Sequence, residues 1–311
     1  MLTQVFIFVT ALFMVVRGAT VTTKYAGRLA GDLNLSKYIT GVMIIAVISI
    51  LPEALIAINA AIKGIPEFGL GMLFGSNIAD LTLIFALIIL LTGRGLKIES
   101  QILKNGYLYP LLLFLPIVLG LDGNFTRFEG AALIIAGIAF YYSALKNATA
   151  EPMAKRHSTD KIKNIVILML SMAVVLIGAH FTVTSASALA IYFNISPILI
   201  GMLVVGLGTT MPELFFSLKS SKNHDDSMAV GDILGIVLAD ATIVVGLLAV
   251  ISPFSFPIRI IYVTGLFMVA AAILLFYFMR SGRTLSHREA RFLLIFWLIF
   301  VLVEFIASSG L

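Results

Sequence analysis

Apolar residues run through this chain in blocks of about twenty, separated by short stretches that hold nearly all of its Lys, Arg, Asp and Glu. A block of that length is what an α-helix needs to cross the hydrocarbon core of a bilayer. The blocks predict ten spans, at residues 2–24, 38–62, 68–92, 105–121, 128–145, 163–190, 197–218, 228–251, 258–279 and 289–308. Four of them carry interruptions. Spans 2 and 7 contain Pro52-Glu53 and Pro212-Glu213 inside apolar sequence, and spans 3 and 8 contain Gly71, Gly75, Gly231 and Gly235 ahead of Asp80 and Asp240. A proline lacks the N–H that an interior helix position donates and its ring clashes with the preceding turn. The prolines therefore predict breaks near Ser49 to Leu51 and at Gly208 to Met211, with freed carbonyls facing protein rather than lipid. The expected fold class is an all-α polytopic membrane protein in which helices 2, 3, 7 and 8 are broken.

The interruptions recur because the chain repeats itself. Gly18 to Asp80 reappears as Gly178 to Asp240 at a constant offset of 160, with Asn34 and Ser36 returning as Asn194 and Ser196 and Gly41 as Gly201. Each copy has five spans, an odd number, so the second must enter the membrane in the opposite orientation. Two inverted five-helix repeats are expected, residues 1–146 and 163–311, joined by a linker at 147–162 whose polar stretch Asn147 to Asp160 contains Pro152. Inverted repeats place matching breaks around a pseudo-two-fold axis, which brings Glu53 and Glu213 together at mid-depth. The loops after spans 1, 3, 5, 7 and 9 hold 17 of the 21 Lys and Arg. By the positive-inside rule the linker is then cytoplasmic and both termini are extracellular, in the plasma membrane.

Composition narrows the class. At 60% hydrophobic, 12% charged and a mean hydropathy of +1.08, a soluble fold is excluded. The net charge of +5 is explained by topology, so no nucleic-acid partner is expected. The first span lacks a basic leader and a small-residue cleavage pattern, which predicts a retained helix. With no cysteine, disulfides, thiolate metal sites and cysteine nucleophiles drop out.

Chemistry lies in the carboxylates. Glu53, Asp80, Glu213, Asp232 and Asp240 all fall deep in apolar sequence, where a charge costs at least ~2.5–3.5 kcal/mol against lipid. They should converge on a cavity and be compensated by cations or protons. All-oxygen donors with no His or Cys cluster favour hard ions. A structural role competes at each position: protonated packing for Glu53 and Glu213, an interhelical hydrogen bond for Asp80 and Asp240, helix capping for Asp232, whose counterpart is Met72, and packing for Ser76 and Asn77. Arg17 is expected to snorkel toward Lys24, His180 to be structural, Glu304 to lie near the outer surface, and His224, Asp225 and Asp226 to form a solvated cytoplasmic turn. An intramembrane aspartyl protease would need a G-x-G-D element, but Ala229 precedes Val230-Gly231-Asp232, and that reading leaves the repeat unexplained. A passive channel would need a continuous lined pore rather than acids clustered at mid-depth.

Gly201 to Glu213, ending Gly208-Thr209-Thr210-Met211-Pro212-Glu213, resembles the alpha-repeat signature G-x-T-x-x-A-x-G-T-S-x-P-E of the sodium/calcium exchangers in the calcium/cation antiporter superfamily. Gly231 to Asp240 and Gly75-Ser76-Asn77-Ile78-Ala79-Asp80 resemble the partner element G-N-x-x-G-S-N-x-x-D. The resemblance implies a Ca2+ site of Glu53, Ser49, Glu213 and Thr209, further cation positions at Asp80 and Asp240, and spans 1 and 6 sliding against the other eight. Thr210, Ser76 and Asp232 complete the candidate metal ligands. Several signature positions differ: Ile48 stands for a glycine, Ile50 for a hydroxyl residue, Met72 for an asparagine, Asp232 for its counterpart asparagine and Ile236 for a serine. Hydrocarbon at 50 and 236 weakens the outlying sodium positions, while Asp80 and Asp232 add carboxylates that a proton neutralises as a cation does. The expected function is Ca2+ exchange against Na+ by alternating access, without a cofactor and not an enzyme, in a monomer whose partners are the bilayer and inorganic cations. The alternative is H+-coupled exchange of Ca2+, Mg2+ or Mn2+.

Overall fold

A computed structural model of the chain describes residues 2–31, 50–98, 108–146 and 161–309. Ser49, the linker stretch 147–160 and the repeat positions Asn34, Ser36 and Gly41 lie outside the described residues. Among the described residues ten helical segments follow one another: α1 (Leu2–Gly31), α2 (Leu51–Ile62), α3 (Pro66–Thr92), α4 (Leu108–Leu119), α5 (Arg127–Lys146), α6 (Lys161–Phe193), α7 (Pro197–Lys222), α8 (Asp226–Ile251), α9 (Ile260–Gly282) and α10 (His287–Ser309). By length and composition, seven of these (α1, α3 and α6 to α10) can cross a membrane. Leu2, Phe6, Leu170, Phe292 and Leu302 point outward and exposed, as lipid-facing side chains do. α3 and α8, at 89% and 83% buried, form the centre of the molecule.

The offset of 160 holds in three dimensions. Helix starts at Leu51 and Met211, at Pro66 and Asp226, and at Arg127 and His287 all match. So do two short strands, β2 (Asn124–Phe125) and β4 (Thr284–Leu285). Local chemistry explains the last pair of helix starts. Thr126 and Glu129 form a capping box, with the Glu129 carboxylate accepting the Thr126 backbone N–H at 2.7 Å, and Ser286 with Glu289 does the same at 2.7 Å. The turn before each box needs a left-handed residue. Gly123 supplies it at φ 76°, and Arg283 is held there at φ 52° in the second copy. Two further strands, β1 (Leu96–Lys97) and β3 (Phe254–Ser255), pair antiparallel with β4 and β2 respectively, so each two-stranded clasp joins one copy to the other.

The second proline break forms where expected: Thr210 sits at a turn between helical residues, and α7 resumes at Met211 with Pro212 in its first turn. In the first copy Ile50 sits at a turn and α2 starts at Leu51 with Pro52 in its first turn, the residues before Ile50 lying outside the described ones. Helices 3 and 8, in contrast, are not broken. α3 and α8 run through their glycines and widen into single π turns at Asp80–Ile84 and Asp240–Val244. Neither contains an internal proline, and glycine there serves close packing instead. A Cβ at Gly75 would overlap the Met202 carbonyl oxygen, so α3 crosses α7 with backbones nearly in contact.

α1 and α6 pack on each other more extensively than any other pair. Gly18 meets Ser171 and Val175, and Gly178 meets Ala11 and Val15, the same contacts displaced by 160. The symmetry fails at one atom. Thr22 donates to Ser171 Oγ at 2.8 Å, but its counterpart Thr182 has Ala11 at the position equivalent to Ser171, and its buried hydroxyl has no partner. Ala11→Ser should therefore restore the missing bond and stabilise the protein by about 1 kcal/mol, read as a raised thermal unfolding midpoint; an unchanged midpoint would remove this account.

Candidate functional site

All five predicted acids are buried, each at 1% exposure or less. Glu53 and Glu213 lie in the first turns of α2 and α7's second half, directly after the proline breaks. Asp80 and Asp240 open the π turns of α3 and α8, and Asp232 lies two turns before Asp240. They share one electrostatic neighbourhood: Glu53 acts on Asp80, Glu213 and Asp240, and Asp232 acts on Asp80 and Glu213. Among the described residues, however, no three His, Asp or Glu side chains converge closely enough to hold one metal ion. Spread over four helices, the acids supply at most two carboxylates to any one ion, and neutral oxygens must complete its shell.

Those neutral oxygens are present with their protons already committed. Thr209 donates to the Gly206 carbonyl at 3.0 Å, Thr210 to Leu207 at 3.0 Å and Ser76 to Leu73 at 3.0 Å. A hydroxyl that has given its one proton to a backbone carbonyl can offer only lone pairs to anything else. Thr209 also lies within reach of Glu53. The carboxylates match this pattern. Both oxygens of Glu213, Asp232 and Asp240, together with Glu53 Oε2, Asp80 Oδ1 and Asn77 Oδ1, are buried without a hydrogen-bond donor.

Other buried acids of the chain are treated differently. Glu304 is fully buried rather than near the surface as expected, and it accepts from Thr264 and, at 3.1 Å, from Arg259. Asp226 is not a solvated turn residue either. At 6% exposure it accepts from Arg94 at 2.6 and 2.8 Å, from the Lys97 N–H at 2.9 Å and from Ser221 at 3.2 Å. Structural acids here receive donors, whereas Glu213, Asp232 and Asp240 receive none at either oxygen and Glu53 and Asp80 each leave one oxygen without a donor. Arg17 lies back over the Phe13 ring at 5.4 Å, away from Lys24, because helical side chains lean toward the N-terminus. His180 is exposed and edge-on to Phe181, and its carbonyl accepts from Lys63 at 3.1 Å.

Two neighbours of the acids carry no mark in the sequence. Tyr109 and Tyr141 are buried and donate to the consecutive carbonyls of Leu234 and Gly235 on α8, at 2.7 and 2.6 Å. Tyr109 lies within electrostatic reach of Asp80 and Asp240, and Tyr141 of Asp240 and Asp232. Their repeat counterparts are Val269 and Val301, so the duplication that exposed the acids could not reveal them.

The sequence pattern of the sodium/calcium exchanger protein family matches residues 3–146 and 163–306. Curated relatives include the sodium/calcium exchanger MaX1 of Methanosarcina acetivorans, 24% identical with 96% of this chain and 97% of that protein covered. The putative antiporter CaxA of Alkalimonas amylolytica is 29% identical over 73% of this chain and 74% of its own length. Among solved structures, the sodium-calcium exchanger NCX_Mj soaked with 100 mM Na+ and 10 mM Sr2+ superposes with a TM-score of 0.71 at 25% identity, covering 95% of this chain and 96% of that one.

Proposed function

The chain belongs to the sodium/calcium exchanger protein family, and from that premise we propose that it exchanges Ca2+ for Na+ across the plasma membrane by alternating access. The observation that carries this reading is the acceptor-only interior: five buried acids and neighbouring hydroxyls whose protons are spent on backbone carbonyls. Such a site repels anions, offers nothing to a neutral acceptor, and is compensated by a hard cation. Glu53, Glu213, Ser49 and Thr209 are the proposed Ca2+ ligands, with Asp80, Asp240, Thr210, Ser76 and Asp232 completing the cation positions.

The ten helical segments are read as two inverted five-helix repeats, residues 1–146 and 163–311, with both termini outside. Matching helix starts and crossed β clasps support that arrangement. α1 and α6, interlocked through Gly18 and Gly178, would move as one unit past the acid-bearing helices. The empty anionic cluster resists the occluded state, while either cation load neutralises it, so competition for one site couples the two fluxes.

Proton coupling is the second reading, favoured by Ile50, Met72 and Ile236 where the family pattern has polar residues and by the extra carboxylate at Asp232. Uptake of 45Ca2+ into proteoliposomes separates them. Uptake driven by an outward Na+ gradient is expected; uptake that needs only a proton gradient would replace Na+ with H+, and uptake indifferent to both would remove the antiport reading.

A further inference from the structure

The two-fold repeat is broken on one side of the acid cluster, where three positions gain an oxygen that their counterparts lack. Asp232 stands opposite Met72, Tyr109 opposite Val269 and Tyr141 opposite Val301. The three side chains come from α8, α4 and α5, which pack together around the π turn of α8. Asp232 is 1% exposed and neither of its oxygens receives a donor. Tyr141 lies within electrostatic reach of it and of Asp240, and Tyr109 within reach of Asp240.

A tyrosine beside a buried carboxylate ordinarily donates to it. Neither does so here. The Tyr109 and Tyr141 hydroxyls spend their protons on the Leu234 and Gly235 carbonyls, at 2.7 and 2.6 Å. What remains available toward the carboxylates is phenol lone pairs, so Asp240 has two further acceptors in its neighbourhood and Asp232 has one, Tyr141. Placed in a protein interior, that arrangement is repulsive until a proton or a metal cation neutralises it, and the lone pairs of several oxygens suit the cation.

We infer that Asp232, Tyr141 and Tyr109, with Asp240 as the wall shared with the central cluster, form an additional subsite for a small hard monovalent cation, Na+. One carboxylate of its own, Asp232, with neutral phenol oxygens suits a single charge, whereas Glu53 and Glu213 together offer two carboxylates to a divalent ion. The subsite rests on the exchanger reading above and supplies sodium ligation on the α8 side, where Ile236 stands in place of the family's serine.

The test uses the full chain in proteoliposomes, with 45Ca2+ uptake followed against internal Na+ and, separately, against external Ca2+. Tyr141→Phe and Tyr109→Phe keep the ring and remove only the oxygen. Each is expected to raise the Na+ concentration for half-maximal uptake by about three- to tenfold, the scale of one lost ordinary polar contact, with a smaller change in the Ca2+ half-saturation. Asp232→Asn should shift the Na+ curve further and flatten its slope. Parallel loss of Na+ and Ca2+ affinity would reduce the tyrosines to packing groups and overturn the subsite. So would wild-type Na+ curves in all three variants, or variants that alter only a proton dependence. Glu213→Gln, assayed alongside, separates the two levels. If it still exchanges, the central site itself is misplaced; if it is inactive while the tyrosine variants behave as wild type, the subsite alone falls.

Discussion

Glu213→Gln is expected to abolish exchange, with uptake falling by about thirtyfold or more. The substitution keeps shape and volume but removes a charge from a carboxylate that receives no protein donor. A buried charge partner taken from a bound ion costs about 2–5 kcal/mol, a factor of roughly thirty to several thousand in affinity. The variant should nonetheless fold, because Glu213 contributes no hydrogen bond that the fold depends on, and a neutral amide relieves repulsion from Glu53, Asp80 and Asp232. The joint readout is 45Ca2+ flux and thermal unfolding: flux is lost and the midpoint is kept or raised. A lowered midpoint with residual flux would recast Glu213 as a structural acid of the Glu304 kind.

The second large effect lies outside the site. Arg94→Ala should destabilise the protein by about 1–3 kcal/mol, because it strands the Asp226 carboxylate with only the Lys97 N–H and Ser221 hydroxyl. The lower end of that range allows for Arg94 keeping 28% of its side chain exposed, where solvent screens the pair. This ion pair ties the end of α3, which carries Asp80, to the α7–α8 turn, whose flanking helices carry Glu213 and Asp240. At the opposite clasp the counterpart of Asp226 is Pro66, and Phe254, which takes the register place of Leu96, packs on Phe125 and Phe256 instead. One clasp is closed by charge and the other by aromatic packing. An Arg94→Met, Asp226→Leu double variant should therefore recover most of the lost midpoint, since apolar replacement of a buried pair is often neutral. If the double variant is no better than Arg94→Ala, the cost does not come from the stranded charge.

Much of the architecture was legible because it is local or periodic. Pro52 and Pro212 stand in the first turns of helices, where the missing N–H has no partner to lose. Capping boxes at Thr126 and Ser286 likewise need only neighbours three residues away. The glycines misled for the same local reason. Gly71, Gly75, Gly231 and Gly235 suggested breaks, yet α3 and α8 stay helical because packed backbone offers no alternative hydrogen bonding in an apolar interior.

Membrane class, the 160-residue repeat and the identity of five deep acids were thus written in the order of residues, where hydropathy and self-similarity are read directly. Which acids are satisfied was not. Asp226 finds Arg94 132 residues away, Glu304 finds Arg259 45 residues away, and Tyr109 and Tyr141 reach α8 across 125 and 94 residues. An apolar helix shows its length to the sequence but not its rotation about its own axis, because every face of it is hydrophobic. Packing chose those rotations, and with them it separated the buried carboxylates that donors neutralise from the ones left open to an ion.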